Sequence, residues 1–130
     1  MSRLIQVAEQ GVWDRFIQAD PWNAFPQAWA WGEFQQTRGR TVVRFALVDE
    51  RGHWLAAGQG IWYPKRYGTG YWLFPRGPVF ASHITEPREV FCTFLEELAK
   101  AKLPHKGLFF RVEPPLTLEE GRGMMPLRMQ

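Results

Sequence analysis

The stretch "WLFPRGPVF", residues 72–80, limits the fold more than any other part of the chain. An aromatic, strand-like run is cut by Pro75-Arg76-Gly77-Pro78 and resumes as Val79-Phe80. Proline removes a backbone donor and fixes φ, so two prolines flanking a glycine cannot sit inside a central strand. The run must therefore end in a turn, and that turn carries a lone arginine between two apolar segments.

At 130 residues the chain has the length of one ordinary domain, and such a chain buries roughly two-thirds of its extended surface on folding. Hydrophobic residues make up 45% and charged residues 22%, which fits a globular domain and excludes a disordered one. Seven Trp and ten Phe are many for this length. They imply either a densely packed core or an aromatic face that meets a ligand or another domain. The formal charge of +3 is a mild excess, and the basic residues are scattered, with Arg38, Arg40 and Arg44 the densest group. That pattern reads as a solvated surface or as an electrostatic site for phosphates.

Cys92 is the single cysteine, so no internal disulfide forms and a cytoplasmic setting is expected. The first residues hold no apolar stretch of signal-peptide length, and no run approaches the about 18 apolar residues of a membrane span. His53, His83 and His105 lie far apart without companions at ligand spacing, so no metal site is expected.

The elements follow from periodicity. Residues 3–7 read as a strand and 9–19 as a helix with Val12, Trp13, Phe16 and Ile17 at three- and four-residue spacing. Asp20-Pro21 stops that helix. A second helix is predicted over 26–37, with Trp29, Ala30 and Phe34 on one stripe. Strands over 41–48 and 53–63 flank the turn "DERG" and form a hairpin, and a turn at "KRYGTG" leads to a strand at 71–74. Pro87 opens a third helix with Val90, Phe91, Phe94, Leu95 and Leu98 on its apolar side, and residues 107–112 form a last strand stopped by Glu113-Pro114-Pro115. The order implies an α/β (α+β) fold: a mixed sheet with the last helix covering one face. The tail from 118 to 130 shows no clear period, and its Met124, Met125, Leu127 and Met129 ordinarily require a following element to cover them.

No nucleophile sits in a recognised turn and no metal-ligand spacing occurs. The run Lys65–Gly70 comes close to the acyl-CoA loop of GNAT acetyltransferases, but such a loop must open a helix toward the pyrophosphate. A strand follows here, so the run reads as a hairpin turn. Arg76 and Arg111 each lie beside a strand end and a proline, where a guanidinium can present a fork to phosphate or carboxylate, or pair with a local acid or carbonyl to fix its turn. Glu113 is either a general acid or base, or an ordinary exposed carboxylate.

Taken in order, "AWAWGEFQQTRGRTVVRFAL", "DERGHWLAAGQGIWYPKRYGTGYWLFPRGPVF", a helix and "GLFFRVEPPL" resemble the amino-terminal part of the Fem (FemA/FemB/FemX) peptidyltransferases, over about residues 24 to 116. That family shows a Trp-Gly-x-Phe helix, a glycine-marked hairpin, a "PRGPV" turn and an "R-[aliphatic]-[Asp/Glu]-P" strand end in this order. The resemblance implies a GNAT-like half of a two-half aminoacyltransferase that moves an amino acid from aminoacyl-tRNA to a lipid- or UDP-linked peptidoglycan precursor, without metal or CoA. It implies Trp31, Gln35, Arg76 and Arg111 as substrate-binding residues, with Glu113 as the motif-matched catalytic candidate. Some members carry a lysine soon after the helix tryptophan, suited to gripping phosphates. Here that stretch is Gln35-Gln36, which offers an amide donor without charge. Residues 1–130 are then expected to be an amino-terminal fragment, inactive alone, with 117–130 starting the connection to a second half, in the cytoplasm and close to the membrane surface. Two other classes stay open: a GNAT-class N-acyltransferase using acyl-CoA, and a non-catalytic domain that binds tRNA or a protein.

Overall fold

A computed structural model describes residues 2–19 and 25–114. The tail over 117–130 lies outside the described residues. The elements run β1 (Arg3–Gln6), α1 (Gln10–Gln18), α2 (Trp29–Thr37), β2 (Val42–Val48), β3 (Trp54–Pro64), β4 (Gly70–Phe74), β5 (Val79–Phe80), α3 (Pro87–Lys100) and β6 (Phe110–Val112), with short 3₁₀ turns at Phe25–Gln27 and Arg66–Gly68. This is the mixed sheet flanked by helices that the element order implies, as expected of the GNAT-like half that the family resemblance implies. Strand order is β1-β2-β3-β4-β6, with β5 also on β3. The pairs are antiparallel except β4 with β6, which is parallel because α3 carries the chain back across the sheet.

The period of two sorts the strand residues onto two faces. One face carries Val43, Phe45, Leu47, Ala56, Trp62, Trp72 and Phe74, against which α3 sets Phe94 and Leu98. The other carries Ala46, Val48, Ala57 and Val79, covered by Trp13 and Ile17 of α1. Much of the aromatic content is therefore core, and each buried aromatic stabilises the fold by about 1.5–3 kcal/mol relative to exposure. The β2–β3 turn is held by the Asp49 carboxylate, which accepts from the Arg51 and His53 amides at 2.9 Å each.

Strand β3 poses a problem that the PRGP turn creates. On one edge β4 pairs with residues 61–64 of β3 and β5 with residues 56–57. Between them the chain leaves the sheet, and the Gln59 amide and carbonyl find no strand partner on that side. A buried N–H or C=O left in that state costs about 1–3 kcal/mol. The carboxamide of Gln27, fully buried, takes the place of the missing rung. Its Oε1 accepts from Gln59 N at 2.6 Å, and its Nε2 donates to Gln59 O at 3.1 Å and to Pro75 O at 2.7 Å. One side chain thereby closes the gap and ties the start of the turn to β3.

The same segment anchors both flanking helices. Trp13 Nε1 donates to Gln27 O at 2.7 Å, fixing α1. The buried Gln59 side chain donates through Nε2 to Pro26 O and Ala28 O at 3.1 and 3.0 Å, and its Oε1 accepts from Arg44 Nε at 2.7 Å. Arg44 also donates to Trp29 O at 3.1 Å and lies 3.7 Å over the Trp29 ring. Burial lowers the Arg44 pKa from its ordinary value, a pull opposed by Glu33 and Asp14. Helix α2 can sit this close only because residue 32 is glycine: a Cβ there would lie 2.2 Å from Gln59 Oε1 and 2.6 Å from Arg44 Nη2.

Replacing Gln27 with Leu keeps the volume but orphans Gln59 N and two carbonyls. Urea unfolding of Gln27→Leu is expected to show a loss of about 2–4 kcal/mol relative to the parent chain, and a loss under about 0.5 kcal/mol would show that the rung is dispensable.

Candidate functional site

The turn at Pro75–Pro78 is built around backbone that only its surroundings can hold. Gly77 N donates to Phe74 O at 3.1 Å, closing a tight turn. Arg76 sits in the left-handed region at φ 53°, uncommon for a residue with a side chain. It is kept there from both sides: Pro75 O is tied to Gln27, and a Cβ on Gly77 would meet the Gln27 carboxamide at 2.7 Å. The Gly77–Pro78 peptide is cis.

Parallel pairing brings the end of β6 to this turn. Phe74 lies opposite Val112, so Glu113 follows just where the turn begins. Glu113 N donates to Gly77 O at 3.0 Å, and Glu113 Oε1 accepts from Arg76 N at 3.4 Å. Its other oxygen stands 3.7 Å from Arg111 Nε. Three of the five residues singled out in the sequence, Arg76, Arg111 and Glu113, thus meet at one place. The Arg111 and Glu113 side chains are 64% and 43% exposed, and an ion pair so wet contributes only about 0–1 kcal/mol. A phosphate or carboxylate can therefore displace the Glu113 contact at small cost and take the guanidinium fork.

Trp31 and Gln35 lie on α2, and among the described residues no hydrogen bond, ion pair or ring contact joins them to that cluster. Trp31 is half-buried and Gln35 is buried, with its backbone carbonyl accepting from Arg38 N and Arg40 N at 3.1 Å each. The inward side of α2 is the line of Gly32 and Gln35, whereas Phe34 is 53% exposed with Arg38 over its ring. Of the expected stripe, Trp29 packs against the core beside Trp13, whereas Ala30 and Phe34 are exposed, and the stripe is corrected for those two. The close approach allowed by Gly32 decides which side turns in, and apolar spacing alone does not reveal it.

Lys65–Gly70 forms a hairpin turn, with Lys65 N donating to Thr69 O at 2.7 Å and β4 directly following. No helix opens there to face a pyrophosphate. Among the described residues no group of three or more His, Cys, Asp or Glu could hold a metal ion, and no helix is long and apolar enough to cross a membrane.

The residues that sequence reasoning missed are Gln27, Gln59 and Arg44. One signal was available for them: a strand interrupted by two prolines leaves backbone groups on its neighbour without partners, and "FPQA" places an amide within a segment that must pack there.

The model of the FemAB family matches residues 9–123. No curated protein matches the sequence. Among solved structures, the crystal structure of FemX superposes with a TM-score of 0.76 at 16% sequence identity, covering 96% of this chain and 31% of that one. At such identity the likeness is one of fold, and this chain spans less than a third of the FemX chain. With a family match over most of its length, the chain belongs to the FemAB family.

Proposed function

We propose that this chain is the amino-terminal GNAT-like half of an aminoacyltransferase that moves an amino acid from aminoacyl-tRNA to the amino group of a peptidoglycan precursor. The observation that carries the reading is the convergence of Arg76, Arg111 and Glu113 at the joined ends of β4 and β6, in a chain of this family. Arg76 and Arg111 bind the anionic part of the precursor, and Glu113 holds the Arg111 guanidinium and the Arg76 backbone in place until substrate arrives. It then stands free to take a proton from the attacking amine. Trp31 of α2 is assigned a direct substrate contact, and Gln35, buried on the inward side of the helix, supports that face from below. The reaction would take place in the cytoplasm, near the membrane where lipid-linked precursors reside.

In this reading residues 1–130 supply one wall of a cleft, and a second half reached through 117–130 supplies the other. Purified chain is expected to give no transfer from aminoacyl-tRNA to precursor, and a polypeptide that adds a second half is expected to give it. Turnover by residues 1–130 alone would show that one half suffices. In the active form, Arg76→Ala is expected to raise KM for the precursor about 10-fold or more, while Glu113→Gln, which keeps an acceptor oxygen, lowers kcat by about 10²-fold. A rise in melting temperature with acetyl-CoA would instead favour a CoA-dependent acyltransferase.

A further inference from the structure

Basic residues that look scattered along the sequence are gathered by the fold. Residues 36–42 carry Arg38 and Arg40, the β3–β4 hairpin over 63–71 carries Lys65 and Arg66, and residues 101–109 carry Lys102 and Lys106. All three segments meet at the end of the sheet where β4 begins. Trp62 N donates to Thr41 O at 2.9 Å, Thr41 Oγ1 lies 3.4 Å from His105 Nε2, and Leu108 N donates to Gly70 O at 2.8 Å. None of the segments contains an Asp or Glu. The nearest acids along the chain are Glu33 of α2 and Glu97 of α3, and Glu97 already faces Lys100 at 3.6 Å. Among the described residues the six cations make no ion pair, and all but Arg40 are exposed. The whole chain has 16 Lys and Arg against 13 Asp and Glu, so with these six set apart the remainder is net acidic.

Apolar side chains stand among these charges. Tyr67, at the hairpin tip, is 96% exposed, and Leu108, beside the hairpin base, is 68% exposed. Tyr67 holds φ at 61°, in the left-handed region, which is a genuine outlier for a bulky residue. The tip is nonetheless fixed: Lys65 N donates to Thr69 O at 2.7 Å, and Thr69 Oγ1 donates to Arg66 O at 2.6 Å. Below it, Lys65 Nζ lies 5.6 Å from the Tyr71 ring and the Arg40 guanidinium 4.5 Å from the Tyr63 ring, and those two rings stack at 5.5 Å. A strained turn braced so that it holds an aromatic ring in water points to a partner for that ring. A nucleic acid would match the cations but offer nothing to the aliphatic Leu108. A protein partner would ask for one contiguous apolar patch ringed by charge, whereas these apolar residues sit singly on separate loops. The headgroup layer of a bilayer accepts single Tyr and Leu side chains while Lys and Arg around them reach lipid phosphates.

We propose that this end of the sheet docks on an anionic lipid bilayer, with Tyr67 and Leu108 entering the headgroup layer and the six cations meeting lipid phosphates. The docking end shares no residue with Arg76, Arg111 and Glu113, which lie at the other end of β4, five residues or about 17 Å away. The transferase reading places the reaction near the membrane but names no surface that holds the protein there; the docking end follows from charge and exposure alone. Vesicles without precursor or aminoacyl donor test it, so its failure and the failure of transfer are separate results.

The test is co-sedimentation of the purified chain with vesicles of phosphatidylcholine, alone or with about 30% phosphatidylglycerol. Binding is expected on the anionic vesicles only, and is expected to be lost in about 0.5 M salt, where the Debye length is roughly 4 Å. Lys65→Gln together with Arg66→Gln is expected to weaken partitioning about 25-fold, and Tyr67→Ser or Leu108→Ser about 3- to 10-fold each. Tyr67→Trp is expected to preserve it. Arg51→Gln, in the turn at the opposite end of β2 and β3, is expected to leave it within about 2-fold, because that turn lies several Debye lengths from the bilayer. Thermal melts followed by circular dichroism establish that each variant is folded. Equal binding to neutral vesicles, no binding to anionic ones, folded variants at 65–67 that bind as the parent does, or Arg51→Gln weakening binding as much as they do overturns the proposal. An oligoribonucleotide that strips the chain from the vesicles at equal phosphate concentration overturns the lipid assignment in favour of a nucleic acid.

Discussion

The carboxamide of Gln27 is the contact on which the rest of the arrangement depends. Strand β3 has two short partners, β4 and β5, along one edge, and the chain that joins them must leave the sheet to make its turn. A backbone gap inside a protein demands donors and acceptors. Proline cannot supply the donor, so the turn that opens the gap cannot close it. A side-chain amide carries both a donor and an acceptor in the geometry of a peptide group, which makes glutamine a fitting substitute for a strand residue. Through Trp13, Gln59 and Pro75, that one substitution also fixes α1, α2 and the turn relative to β3.

The buried network has a surface consequence. Arg76 is exposed, yet its backbone is held by Pro75 O on one side and by the packing of Gly77 against Gln27 on the other. An exposed arginine on a loose loop loses backbone and side-chain freedom on gripping an anion. Here the backbone part has already been met in folding, and only the side chain remains to be ordered. Polar groups that look like core stabilisers are thus also what positions a surface cation.

Much of the fold was legible because its signals were local. Period-two runs marked β2 and β3, three- and four-residue spacing marked α1 and α3, and Pro87 at the first position of α3 marked its start. Strand β5, two residues long, was too short to carry a period. The last strand is shorter than the apolar run suggested, beginning at Phe110 where pairing with β4 begins. For α2 the pattern held at Trp29 but misled at Ala30 and Phe34, which are exposed, because the packing distance was set by Gly32. Arg44 was grouped with Arg38 and Arg40 as a solvated surface or a phosphate site, though its partners Gln59 and Trp29 lie far along the chain. Arg76, Arg111 and Glu113 were visible as punctuation at strand ends. Their meeting was not, because it depends on which strands pair and in which direction.

That direction is the last step in explaining the site. In an antiparallel pair the end of one strand meets the start of the other, so the loops leaving two neighbours point to opposite ends of the sheet. The pairs β1–β2, β2–β3 and β3–β4 are of this kind. Only the crossover through α3 makes β6 run parallel to β4, so that both strands release their chains at the same end. The turn after Phe74 and the strand end after Val112 then arrive together, and the prolines in each keep them from running on into the sheet. Ligand sites of α/β sheets gather where parallel strands end and their continuations diverge. Among the described residues, the one parallel pair of the sheet is therefore also where its topology brings Arg76 and Glu113 within reach of a common ligand.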